Sequence, residues 1–164
     1  MTTAANDWAR LCGLLDDDAE FANDVRLAAS DPEEYFRRHE GRLSERGIES
    51  ADEIDPWLAV VDGLDDAGAL AYLDWKDTGV ELAQALAAVP RVVRSGINLE
   101  AVEDTDDLED AVAHTDRLLA AGGLRVVYLD EDSDAYPLVV VPSTHAEEII
   151  GISARLGHEA RTFG

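Results

Sequence analysis

Cysteine and lysine each occur once in this chain of 164 residues, as Cys12 and Lys76. A lone cysteine excludes an internal disulfide framework, and the absence of CxxC spacing and of paired histidines removes the usual signature of structural zinc. The longest apolar runs, such as PLVVVP, are strand-sized and fall short of the ~18 residues a membrane span needs. There is no glycine-rich phosphate loop, because Gly122 and Gly123 precede a β-rich run and not a helix start. MTTAANDWAR lacks a basic region followed by an apolar core, so no secretion signal is expected. These absences point to a cytoplasmic protein of bacterial type, with no membrane partner and no cofactor.

Positive charge is equally scarce. Thirteen bases, all but Lys76 being arginine, face 36 acids, for a net charge of -23. Such a field repels nucleic-acid phosphates and anionic lipids, which makes both poor targets, and it favours a basic protein or a cation. Solubility, or adaptation to a salty host, is the plainer account of the same charge.

What is present reads as an α+β fold. The expected division is an N-terminal helical region, 1–47, and an α+β domain, 48–164, packed as one compact unit. Trp8, Leu11, Cys12 and Leu15 recur at helical spacing, as do Phe21, Val25 and Ala28. Asp31 followed by Pro32 starts a third helix, and Asp55 followed by Pro56 a further one that Gly68 stops. Arg37, Arg38, Arg42 and Arg46 suggest a basic patch, but Glu33 and Glu34 stand four residues before Arg37 and Arg38, so a salt-bridged solvent face is expected. Residues 70–75 read as a strand, Thr78 and Glu81 as a capping box, and 90–105 as a long connection with a helical turn near 99–102. A helix carrying Leu108, Ala111, Val112, Thr115, Leu118 and Leu119 ends at the Gly pair. LRVVYL and YPLVVVP follow as a hairpin, then a helix opened by a Thr144–Glu147 capping box, then a short edge strand in HEARTF. The sum is N-terminal helices on a small mixed sheet of three or four strands, with two or three helices on one face and a C-terminal β-β-α-β unit. Strands 70–75 and 124–129, if parallel, open at the same end of the sheet, which brings Trp75, Lys76 and Asp77 near Asp130, Asp132 and Asp134.

EIDPWLAVVDGL, YLDWKD and LDEDSDAYPLVVVP, in this order and spacing, resemble an uncharacterised bacterial family, domain of unknown function 6630. The resemblance covers about 53–163 and rests on Asp55-Pro56-Trp57, Asp74-Trp75-Lys76-Asp77 and Ser133-Asp134-Ala135-Tyr136-Pro137. It implies a fold boundary and no catalytic residues.

The acidic turn holds Asp130, Asp132 and Asp134 at the spacing of the first ligands of an EF-hand. Ala135 and Val141 occupy the positions where that loop requires Gly and a bidentate Glu, so an EF-hand is excluded. Acids that keep a hairpin tip in water are the simpler reading. Lys76, between Asp74 and Asp77, is expected in a structural ion pair and not as a nucleophile. His39, His114, His145 and His158 are scattered and make no metal or catalytic motif. No catalytic, cofactor-binding or metal residue is assigned. The expected function is a non-enzymatic interaction module that contacts a basic protein. Its candidate interaction or ligand site comprises Trp75, Lys76, Asp77, Asp130, Asp132, Asp134 and Tyr136, and Trp75 is the exposed anchor. The alternative is a small enzyme or divalent-metal-binding domain that uses the same crevice.

Overall fold

The computed structural model describes residues 3–163. Its N-terminal third is a stack of helices: α1 (Thr3–Leu15), α2 (Ala19–Ser30), α3 (Pro32–Arg38), α4 (Glu40–Glu45) and α5 (Pro56–Asp66). Each start has a local cause. The side chain of Asp18 accepts the Glu20 N–H, that of Asp31 the Glu34 N–H, and that of Asp55 the Trp57 N–H, while Pro32 and Pro56 fill first-turn positions that need no donor. Gly68, at φ 74°, releases the chain from α5 into the first strand.

The strands are β1 (Leu70–Asp74), β2 (Leu124–Leu129), β3 (Ala135–Pro142) and β4 (Ala160–Arg161). Among the described residues they form one sheet in the order β1-β3-β2-β4. The α+β class stands, but the sheet is antiparallel throughout and not mixed. β1 and β2 do run in the same direction. They are not neighbours because the β2–β3 hairpin folds β3 into the gap, pairing Val127 with Val139 on one side and Leu70 with Val139 on the other.

Both faces of this sheet are covered. Leu70, Val127, Leu129, Val139 and Val141 pack against α1, α2, α5 and α9 (Ala146–Arg155). Ala71, Leu73, Val126, Leu138 and Val140 pack against α6 (Gly79–Ala87), α7 (Pro90–Ser95) and α8 (Leu108–Ala120). The two or three helices expected on one face are α6, α7 and α8, and the N-terminal helices with α9 cover the other. The signal lay in β3, where Leu138 to Val141 are apolar without alternation, as a strand buried on both sides must be. Burying each of those side chains stabilises the fold by roughly 1.5–3 kcal/mol.

Two local expectations also change. Residues 90–105 hold the expected helical turn, as a 3-10 turn over Glu100–Asp104, but also a helix that was not expected, α7, started by Pro90. The Thr144–Glu147 capping box does not form. Ser143–His145 make a 3-10 turn instead, and the His145 ring nitrogen Nδ1 lies 3.0 Å from the Leu14 carbonyl, joining α9 to the end of α1.

Candidate functional site

One end of the sheet gathers element termini. β1 and β2 finish there, β3 begins there, and α6 and α8 start there, since α6 follows β1 and α8 runs back before β2. The Thr78–Glu81 capping box forms as expected: the Glu81 carboxylate accepts from the Thr78 N–H at 2.9 Å and from its hydroxyl at 2.6 Å. The Gly79 N–H donates to the Thr105 carbonyl at 2.8 Å, tying the approach to α8 to the start of α6. Only glycine fits this join, because a Cβ at position 79 would lie 1.9 Å from the Val102 carbonyl oxygen. Asp107 then caps α8 by accepting the Asp110 N–H.

The candidate residues assemble at this end. Asp74 pairs with Ala135 in the sheet, which sets Trp75, Lys76 and Asp77 beside the 130–134 turn. Trp75 is 55% exposed, whereas Trp8 and Trp57 are buried. Tyr72 and Val80, at 47% and 39%, are exposed at the same end. Asp132 and Asp134 point to solvent, as do Asp74, Asp104, Asp106, Asp107, Glu109 and Asp110. Asp132 sits at φ 59°, a left-handed turn conformation that Asp tolerates better than most residues, and its N–H donates to the Asp130 carboxylate at 2.8 Å. Tyr136 donates its hydroxyl to Glu109 at 2.8 Å, and this bond to a carboxylate, with burial, pushes its phenol up to about 12.

Lys76 departs from expectation, for it makes no ion pair with Asp74 or Asp77. The Asp77 carboxylate accepts the Asp74 N–H at 2.8 Å, the Asp74 carboxylate takes the Lys76 N–H at 3.4 Å, and the ammonium lies 5.4 Å from the Trp75 ring centroid. Both acids are engaged by the backbone turn, and the lysine rests on the aromatic face instead.

Glu131 parts company with its neighbours. Its side chain is only 4% exposed. One oxygen, Oε2, accepts from the Tyr72 hydroxyl at 2.6 Å and the Ser133 hydroxyl at 2.8 Å. The other, Oε1, has no hydrogen-bond partner among the described residues and lies 3.7 Å from Arg46 Nη1. Arg46 bonds Asp62 at 2.5 and 3.2 Å, and Arg42 reaches Asp65 at 2.9 Å and Asp66 at 2.5 Å. Burial pulls the Arg46 guanidinium down, yet its bonds to Asp62 outweigh this and hold it above its ordinary value. Burial and the Glu131 carboxylate together push the Tyr72 phenol up to about 12. Arg46 is thus drawn inward onto Asp62, whereas Arg42 stays at the surface with the exposed Asp65 and Asp66. Arg37 and Arg38 are part of a solvent face, although both choose Glu34, leaving Glu33 aside. Asp62 carried a readable signal, because an acid inside the apolar stripe WLAVVDGL needs a cation opposite it. Glu131 carried none, being one acid of four in a row.

The Asp55-Pro56-Trp57 segment buttresses this turn from behind. Trp57 Nε1 donates to the Asp130 carbonyl at 2.8 Å, and its ring stacks on His158 at 4.6 Å between centroids and 4° between planes. His158 Nε2 in turn lies 3.0 Å from the Asp55 carboxylate. Among the described residues no three His, Cys, Asp or Glu side chains converge as a metal would require. No described helix is long and apolar enough to cross a membrane. A cavity of about 230 Å³ lies beside Tyr72 and Arg46, and cavities of about 360 and 650 Å³ lie elsewhere, lined by Arg91 and Asp16 and by Trp8 and Cys12 respectively.

No curated protein and no solved structure is significantly similar to the chain. A family profile does match, over residues 7–163, so the similarity takes in α5, the sheet and most of the N-terminal helices that the motif resemblance had left out. From the Asp55-Pro56-Trp57 buttress to the 130–134 turn it supports, the chain belongs to the family described as Domain of unknown function (DUF6630).

Proposed function

We propose that the chain is a non-enzymatic interaction module of the bacterial cytoplasm, whose acidic end docks a basic protein. The observation that carries this reading is Trp75, a large aromatic 55% exposed amid carboxylates. Arg10, Arg37, Arg38, Arg42, Arg46, Arg125 and Arg155 are paired with acids. The exposed acids at 74, 104, 106, 107, 110, 132 and 134 have no such partner among the described residues, which leaves this end of the sheet negatively charged. Unpaired charge of one sign speeds and orients the approach of a partner of the other, while a central Trp supplies the desolvated anchor that charge alone does not. The same field disfavours nucleic acid and anionic membranes as partners.

The test compares three immobilised proteins: the chain itself, Trp75→Ala, and the double variant Asp132→Asn with Asp134→Asn. A basic protein captured from host extract should be lost with the first variant, weakened with the second and released by salt. Equal recovery of every captured protein by all three forms would end the proposal.

A further inference from the structure

The sheet stops at two edges of different character. β4 is two residues long, and its Arg161 guanidinium lies over the Tyr128 ring at 5.1 Å. β1 has five residues and, among the described residues, pairs only through its inner side, with β3. Backbone groups of a strand alternate in direction, so one residue fixes the parity of the rest. Asp74 supplies it: its N–H donates to Asp77 Oδ2 at 2.8 Å and its carbonyl accepts the Asp77 N–H at 2.9 Å, both away from β3. Leu70 and Tyr72 share that parity, so each directs an N–H and a C=O outward. Ala71 and Leu73 hold the ladder to β3. The far side of β3 agrees, since the Val140 carbonyl faces the β1 side and, where β1 has not yet begun, accepts from Arg91 at 2.9 Å.

Leu70 and Tyr72 also form one wall of the cavity of about 230 Å³, whose other walls are Arg42, Arg46 and Asp62 together with Glu45 and Asp65. Counting Asp66 and Glu131, which bond or approach these arginines, five carboxylates meet two guanidinium groups there. An incoming strand would alternate its side chains, and those on the Leu70–Tyr72 face would meet this surplus of negative charge.

We propose that β1 is a strand-addition edge for an extended basic segment of the partner. Leu70 and Tyr72 pair with its backbone, and a lysine or arginine of the segment is received between Tyr72 and the α4–α5 carboxylates. Main-chain bonds give affinity and the side-chain cavity gives specificity in this mode of recognition. Charge complementarity selects the occupant, because a second copy of a chain at -23 would bring like charge to the same edge. The inference rests on the interaction-module reading and adds where, and by which groups, the partner is held.

The probe is a short acetylated and amidated peptide of alternating lysine and valine, with the glutamate–valine peptide as control. It is added to the full-length chain while amide exchange is followed residue by residue. The Leu70 and Tyr72 amides should exchange about tenfold more slowly with the lysine peptide only. Tyr72→Pro, which removes an outward N–H and leaves the β3 ladder intact, should bind about tenfold more weakly than Tyr72→Val, which removes the same ring but keeps the N–H. Three outcomes would overturn the inference. If the peptide perturbs Trp75, Asp132 and Asp134 but leaves both β1 amides unprotected, strand addition fails and the acidic-end reading survives. If it perturbs neither region, both fail. If Tyr72 protection grows with protein concentration in the absence of peptide, the occupant is a second copy and not a basic segment.

Discussion

Glu131 and Asp132 are adjacent acids in one turn, yet one is sealed beneath a tyrosine and the other stands in water. The chain direction at the turn sends Glu131 back over β1, where Tyr72, Ser133 and Arg46 meet it. Asp132, in its left-handed conformation, stays exposed to solvent. The same chemical group thus serves as an internal joint between the helical layer and the sheet, and one residue later as part of an exposed electrostatic surface. A charge count cannot separate these roles. Pairing can, because a desolvated carboxylate is tolerated only where donors and a cation surround it.

The largest test of this contrast is Asp62→Ala. It leaves Arg46 without the acid that joins it to α5, while Arg42 keeps Asp65 and Asp66, and urea unfolding should report a loss of about 3 kcal/mol. A loss below that of an ordinary surface substitution would mean the buried network adds nothing to stability. Glu131→Gln comes next. The amide still accepts from Tyr72 but no longer attracts Arg46, and about 1 kcal/mol should be lost by the same measurement. On the exposed side, Asp132→Asn with Asp134→Asn should stay within about 0.5 kcal/mol of the parent, since Asn also tolerates a left-handed turn. A cost equal to that of Glu131→Gln would erase the distinction between the two kinds of acid.

The smallest effect concerns acid pH. Hydrogen bonds from Arg37 and Arg38 hold the Glu34 carboxyl below its ordinary value of 4.5, and the bond from Arg10 does the same for Glu148. A carboxyl whose value is lowered by folding contributes stability fully above its unfolded value and loses it as pH falls through the folded one. Melting temperature should therefore drop as pH is lowered below about 4.5, and Glu148→Gln should make that drop shallower. An unchanged slope in the variant would show that the Arg10–Glu148 pair, lying at the surface, is inert.

Much of the fold was legible because its signals are local. Asp31-Pro32, Asp55-Pro56 and Thr78–Glu81 start helices where expected, and the runs at 124–129 and 136–142 form the hairpin. Thr144 misled, because the contact of His145 with the α1 carboxyl end outweighed a capping pattern that local sequence favoured. The candidate site was legible in part. The shared end of β1 and β2 follows from strand direction, so Trp75 and the acidic turn do meet. Lys76 and Arg46 were misassigned because the lysine's neighbouring acids are taken up by the backbone of the turn and the arginine's partner is a buried acid on helix α5.

The sequence by itself determined the α+β class, the helix starts, the hairpin and the excess of acid, since each is set by neighbours a few residues apart or by composition. Tertiary structure alone decided that β3 would lie between β1 and β2, and which carboxylate of the turn would be drawn inward. Those outcomes depend on pairing and desolvation between segments distant in the chain, whose energies no local pattern encodes.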